Sequence, residues 1–175
     1  MRILILLTLC LSTMCSAQLT LNGQWDLILS STDITEAGLD YPNQFQSSTN
    51  QTELTWSSSL FTPLLTCVVN INNYRVNLRK ININWDPALT MSIRRTGDGT
   101  PDALITNPTT LALLNSSVSN GTIYQEIQDT DIEIVRFRGC RNDIPFQFKL
   151  EGMSVTLPVE TYSITLMYTI YDDGL

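Results

Sequence analysis

The chain has 175 residues, with ten basic and 17 acidic side chains, a net charge of −7 and no histidine. Without histidine it lacks the commonest general base and the commonest metal ligand, which excludes Ser-His-Asp and Cys-His catalysis and most zinc sites. An acidic surface repels nucleic acid and anionic lipid, and the basic residues are too dispersed to form a phosphate-binding face.

Residues 1–17 read as a cleavable export signal. Arg2 precedes an apolar run over residues 3–11, and the small residues Ser16 and Ala17 stand where a signal peptidase cuts, so the mature chain is expected to start at Gln18. The run is about half the ~20 apolar residues a spanning helix needs, so no membrane span is expected. Leu9 before Cys10 and Met14 before Cys15 do not fit a lipoprotein cleavage site. The expected location is outside the cytoplasm: secreted, periplasmic or at the cell surface. Loss of Arg2 leaves nine basic against 17 acidic groups, a net of −8. Residues 18–175 suffice for one domain with a real core. Cys10 and Cys15 leave with the signal, and in an oxidising compartment Cys67 and Cys140 are expected to form one disulfide.

Along the mature chain the dominant pattern is alternation with period two, and helical periodicity is absent. Leu19 and Leu21, then Trp25, Leu27 and Leu29, share a face, which reads as one long strand distorted at Gly23. Residues 30–50 are turn-like, and a short strand is expected over 52–57. Strands are expected over 66–71 and 74–78, with Asn72 and Asn73 as a tight hairpin turn. The apolar face then switches from Tyr74, Val76 and Leu78 to Ile81, Ile83 and Trp85, which predicts a bulge at Arg79 and Lys80. A strand over 89–95 precedes a long surface connection, 96–120, broken by Gly97, Gly99, Pro101 and Pro108. Strands resume over 122–127, 131–138, 145–151 and 154–159. In the last strand Tyr162, Ile164, Leu166, Tyr168 and Ile170 lie on one face. About nine or ten short strands with frequent turns predict an all-β fold, a single antiparallel β-sandwich of Ig-like or pilin-like type with Greek-key connections.

Candidate chemistry is sparse. Asp98 and Asp102 flank Gly99, Thr100 and Pro101, and such a turn can offer oxygen ligands to calcium, but a calcium loop spaces three or more carboxylates. Asp129, Asp131 and Glu133 recur every second residue and would share a strand face, the kind of carboxylate pairing a glycoside hydrolase uses. Arg136 and Arg138 offer them a simpler role in ion pairs across an exposed sheet, and no third group orients them. No catalytic residue and no cofactor is therefore assigned. Trp25 and Trp85 continue apolar strand faces and are expected in the core. Trp56, beside a serine run, is the candidate for stacking on a sugar. Asn50, Asn115 and Asn120 begin Asn-x-Ser/Thr triplets, which a chain so rich in these residues yields by chance.

Residues 160–171, Glu-Thr-Tyr-Ser-Ile-Thr-Leu-Met-Tyr-Thr-Ile-Tyr, resemble the closing strand of bacterial surface β-sandwiches of the spore coat protein U and chaperone-usher pilin type. A broader stretch from Trp85 to Ile170 is similar to a group of small secreted bacterial proteins with no activity to carry over. It includes Ile93-Arg94-Arg95-Thr96-Gly97-Asp98-Gly99 and residues 144–154. The pilus resemblance implies donor-strand exchange, in which a terminal segment of one subunit completes the sandwich of the next. Leu19, Leu21, Trp25 and Leu27 are the candidate donor residues. The chain departs from pilins in the residues 172–175 that follow the closing strand and in having no linker before Trp25.

The preferred expectation is a secreted or cell-surface structural or interaction protein without catalysis, partnered by copies of itself or by another surface protein. A secreted carbohydrate- or ligand-binding module is the alternative, and a carboxylate-only glycoside hydrolase ranks third.

Overall fold

Period-two alternation becomes strand over most of its length, because side chains on alternate residues reach the same face and one face can be buried whole. The computed structural model of the chain describes residues 16–30, 33, 40–59, 72–101 and 117–174. Among these, eleven strands form two antiparallel sheets: β1 (Ser16–Asn22), β2 (Gln44–Gln46), β3 (Thr52–Ser59), β4 (Asn73–Asn84), β5 (Thr90–Arg95), β6 (Thr100–Pro101), β7 (Val118–Ser119), β8 (Gln125–Glu126), β9 (Ile132–Arg138), β10 (Arg141–Glu151) and β11 (Ser163–Gly174). The seven-stranded sheet runs β1-β3-β10-β5-β8, with β2 and β6 also paired to β10; the four-stranded sheet runs β11-β4-β9-β7. The chain is an all-β sandwich.

Its core is the set of inward rows. Leu54 and Trp56 from β3, Ile93 from β5 and Ile144, Phe146 and Phe148 from β10 meet Tyr74, Val76 and Leu78 from β4 and Ile134, Val135 and Phe137 from β9. Each fully buried aliphatic or phenyl side chain contributes roughly 1.5–3 kcal/mol. An aromatic contact crosses the gap between the sheets, where Trp56 meets Tyr74 at 5.1 Å between ring centroids, and Tyr74 in turn meets Phe137, its partner in the four-stranded sheet, at 5.9 Å. Leu166, Tyr168 and Ile170 of β11 close one side of this core.

Several local expectations are corrected. The first strand stops at Asn22 instead of running to Leu29. Gly23 takes φ +100, where a Cβ would overlap the Gln51 carbonyl oxygen, and the Gln51 side-chain amide donates to the Gln24 carbonyl. Residues 23–30 then run on without strand pairing. No bulge falls at Arg79 and Lys80: β4 pairs continuously with β11 from Tyr74 to Asn82, and the irregularities of that ladder come between Asn82 and Asn84 on β4 and between Asp172 and Gly174 on β11. Ile81 and Ile83 stay exposed, at 42% and 69%. The expected strand over 122–127 shrinks to Gln125–Glu126, and that over 154–159 is turn and bend. The closing strand is longer than its apolar alternation, because Asp172 and Gly174 still pair with Tyr74 and Asn73. The expected strand over 66–71, Cys67 and Asp102 lie outside the described residues.

Candidate functional site

Of the carboxylate row, Asp131 and Glu133 belong to an ion-pair ladder on the outer face of the four-stranded sheet, while Asp129 lies exposed in the bend before β9 instead of sharing a strand face with them. In a regular strand Glu133 and Arg136 would point to opposite faces. The β4–β9 register slips, so that Val76 faces Val135 while the next residue, Asn77, faces Glu133. The extra residue, Ile134, turns inward beside Val135 and leaves Glu133 and Arg136 on the same outer face, 2.9 Å apart. Arg136 also reaches Asp173 of β11 at 3.0 Å, and Asp173 takes Arg75 at 3.2 Å. Arg79 pairs with Asp131 at 3.9 Å, the Tyr171 hydroxyl donates to Asp131 at 3.3 Å, and Arg75 lies 4.8 Å over the Tyr171 ring. The Arg136 hydrogen bond holds the Glu133 carboxyl below its ordinary value of 4.5. A general acid needs the opposite shift. The ladder ties β4, β9 and β11 together.

Asp98 is likewise in use within the fold. Its carboxylate pairs with Arg95, a buried side chain that also donates to the Asn120 and Gly97 carbonyls at 3.0 Å each. Arg141 donates to the Asp98 carbonyl at 3.1 Å. These contacts fasten the 97–99 turn and the 120–121 turn to one end of the sandwich. No group of three His, Cys, Asp or Glu residues that could hold a metal occurs among the described residues.

Trp56 is corrected from surface to core. It is 5% exposed, faces Leu19 across the β1–β3 ladder and packs on Tyr74, so it offers no ring face to a sugar. The serines that follow it suggested exposure, but Trp56 sits on the same face as the buried Leu54. Trp25 is partly buried against the core, stacked on Phe148 at 6.2 Å with the planes 9° apart. Of the other candidate donor residues, Leu19 packs against the core, while Leu21 and Leu27 are each 38% exposed.

The opposite end of the sandwich from Arg95 holds an open, largely apolar cleft of about 710 Å³. Its walls are residues 25–29 on one side and 153–162 on the other, with Trp85, Leu89 and Met91 beneath. Polar groups hold the walls in place. Asp40 accepts from the Ser154 hydroxyl at 2.6 Å and the Val155 amide at 2.8 Å, bonds that hold its carboxyl below the ordinary range. The Tyr162 hydroxyl donates to the Pro158 carbonyl at 2.7 Å and the Trp85 indole to the Leu89 carbonyl at 2.9 Å. What the cleft presents is therefore mainly hydrocarbon and aromatic surface, with Ile28 and Val159 at its rim almost wholly exposed. Sequence reasoning missed it by reading 154–159 as a strand. Gly152 at φ +88, just before that segment, and Pro158, within it, are the turn signals that could have revealed it.

Each sheet also ends in a strand with a single described strand neighbour: β1 beside β3 and β11 beside β4. No helix among the described residues is long and apolar enough to cross a membrane. No family model, curated protein or solved structure matches the chain.

Proposed function

We propose that this chain is an exported, non-catalytic β-sandwich subunit of a surface assembly, joined to its neighbours by strand addition. The observation that supports the reading best is β1. It is an alternating N-terminal strand at a sheet edge, held by β3 alone among the described strands, and it leads into residues 23–30, which make no strand pairing. Cleavage after Ala17 would leave Gln18 to Asn22, which face Ser57 to Glu53, as a free-ended donor of the form that β-augmentation uses. The engagement of Asp131 and Glu133 in ion pairs supports a structural role for the one carboxylate row that resembled a catalytic pair. Cys67 and Cys140 form the one disulfide of the mature domain in this reading, and Cys140 is buried beside the turn into β10.

The test is to produce the mature chain from Gln18 and a shortened chain from Gly23 in an oxidising compartment and to compare their masses in solution. Heat-sensitive oligomers longer than a dimer are expected of the longer chain, and a folded species no larger than a dimer of the shorter one. Oligomers longer than a dimer that survive the shortening would overturn donor-strand exchange.

A second reading, a module that binds an apolar or aromatic ligand, is favoured by the cleft. Trp25 and Trp85 both line it, so ligand entry should change the tryptophan emission of the monomer. A screen of apolar ligands and glycans that leaves emission unaltered would remove this reading.

A further inference from the structure

We infer that β11 is a docking edge for a second copy of this chain, pairing antiparallel with its own counterpart about a two-fold axis at Met167. The inference rests on the self-association proposed above but uses a different strand. Natural proteins guard exposed edges with Lys, Pro, bulges or shortness. From Ile164 to Tyr171 this edge has none of these: it is eight residues of regular pairing to β4, without Lys, Pro, Gly or any charged group. Among the described residues β4 is its one strand neighbour.

The composition of the strand selects both occupant and register. In an antiparallel pair, residues directly opposite lie on the same face, so a two-fold axis must pass through a residue position. With Met167 at the axis, Ile164 faces the partner copy's Ile170 and Leu166 faces its Tyr168, extending the inner apolar row that is half-buried at the edge. On the outer face Thr165 meets Thr169, and Met167, 38% exposed, meets itself. Asp172 and Asp173 fall opposite Tyr162 and Thr161. Two mature chains of net charge −8 therefore meet along a neutral seam with no carboxylate facing another. Moving the axis to Thr169 sets Asp172 against Leu166, and moving it to Thr165 sets Glu160 against Ile170. Both bring a charge into the apolar row.

Directly opposed residues in such a ladder bring their Cβ atoms to about 4.5–5.5 Å, close enough for a disulfide with slight adjustment. Met167→Cys in the otherwise intact mature chain should therefore cross-link to a dimer of twice the mass under mild oxidation. Thr165→Cys alone should cross-link far more slowly, and should cross-link readily when mixed with Thr169→Cys. Ile83→Cys, an exposed position on the neighbouring strand, gives the rate of random encounter. Cross-linking of Met167→Cys at the rate of Ile83→Cys, or an unmodified chain that stays monomeric at every concentration, would overturn the pairing. The same variant in the chain shortened to Gly23 separates the two ideas. Cross-linking that persists there keeps the β11 pairing when donor-strand exchange fails. Oligomers that vanish on shortening, with no link at Met167, keep donor-strand exchange and remove this pairing.

Discussion

Two of the edge strands of this sandwich, β1 and β11, are built differently. β1 is seven residues long, has β3 as its described neighbour, and puts Leu19 against the core while Leu21 remains 38% exposed. β11 is twelve residues long and is fastened to β4 and β9 by Asp173 to Arg75 and Arg136, by Tyr171 to Asp131 and by the Arg75–Tyr171 stack. Its inner row also seals the core. A strand held by few contacts can leave at low cost, whereas one fixed by packing and ion pairs forms a rigid template. In the assembly proposed above, β1 is the strand that can leave as a donor and β11 the fixed edge that pairs with its own counterpart.

That contrast can be broken by substitutions of graded effect. Trp56→Ala should cost the most, about 3–5 kcal/mol, because it empties the centre of the core beneath β1; a denaturation midpoint near that of the unaltered chain would return Trp56 to the surface. Leu166→Ala on β11 should cost roughly 2 kcal/mol and Leu19→Ala on β1 about 1 kcal/mol, measured by urea unfolding. Equal losses at the two positions would erase the distinction between the edges. Smaller again is the ladder. Because Arg136 holds the Glu133 carboxyl below 4.5, the stabilisation it gives is complete above that pH and is lost as the pH falls through the lowered value. Glu133→Gln should therefore lower the unfolding temperature slightly at neutral pH and converge with the unaltered chain in acid; a constant gap at all pH values would show that the pair does not titrate with folding. The least effect is expected from Tyr168→Phe. Burial drives the Tyr168 hydroxyl pKa far upward, and the oxygen has no well-formed hydrogen bond, so its removal should change stability by less than about 1 kcal/mol. A larger loss would mean that the hydroxyl is well bonded across the sheets.

The fold was legible wherever one strand face is buried. Tyr74, Val76 and Leu78, and Leu166, Tyr168 and Ile170, alternate because the opposite face meets water, and the two-residue period survives into the structure. It failed where alternation does not follow burial. Leu27 and Leu29 continue the apolar pattern of β1, but Gly23 ends the ladder and they line the cleft instead. Residues 154–159 alternate too, yet are held as a turn by Asp40, more than a hundred positions away in the chain. The ladder was half legible. The charges of Asp131, Glu133 and Arg136 announced pairing, but the bulge at Ile134 that brings Glu133 and Arg136 to one face depends on the register with β4. The two edges were invisible as edges, since a strand's position in its sheet is set by long-range pairing.

The measurement that tests the central claim most directly is the mass in solution, by light scattering across a range of concentrations, of the mature chain beginning at Gln18. Assembly through edge strands predicts a dimer or longer oligomer that dissociates on heating and shortens or disappears when residues 18–22 are removed. A compact monomer at all concentrations, with or without those residues, would contradict it.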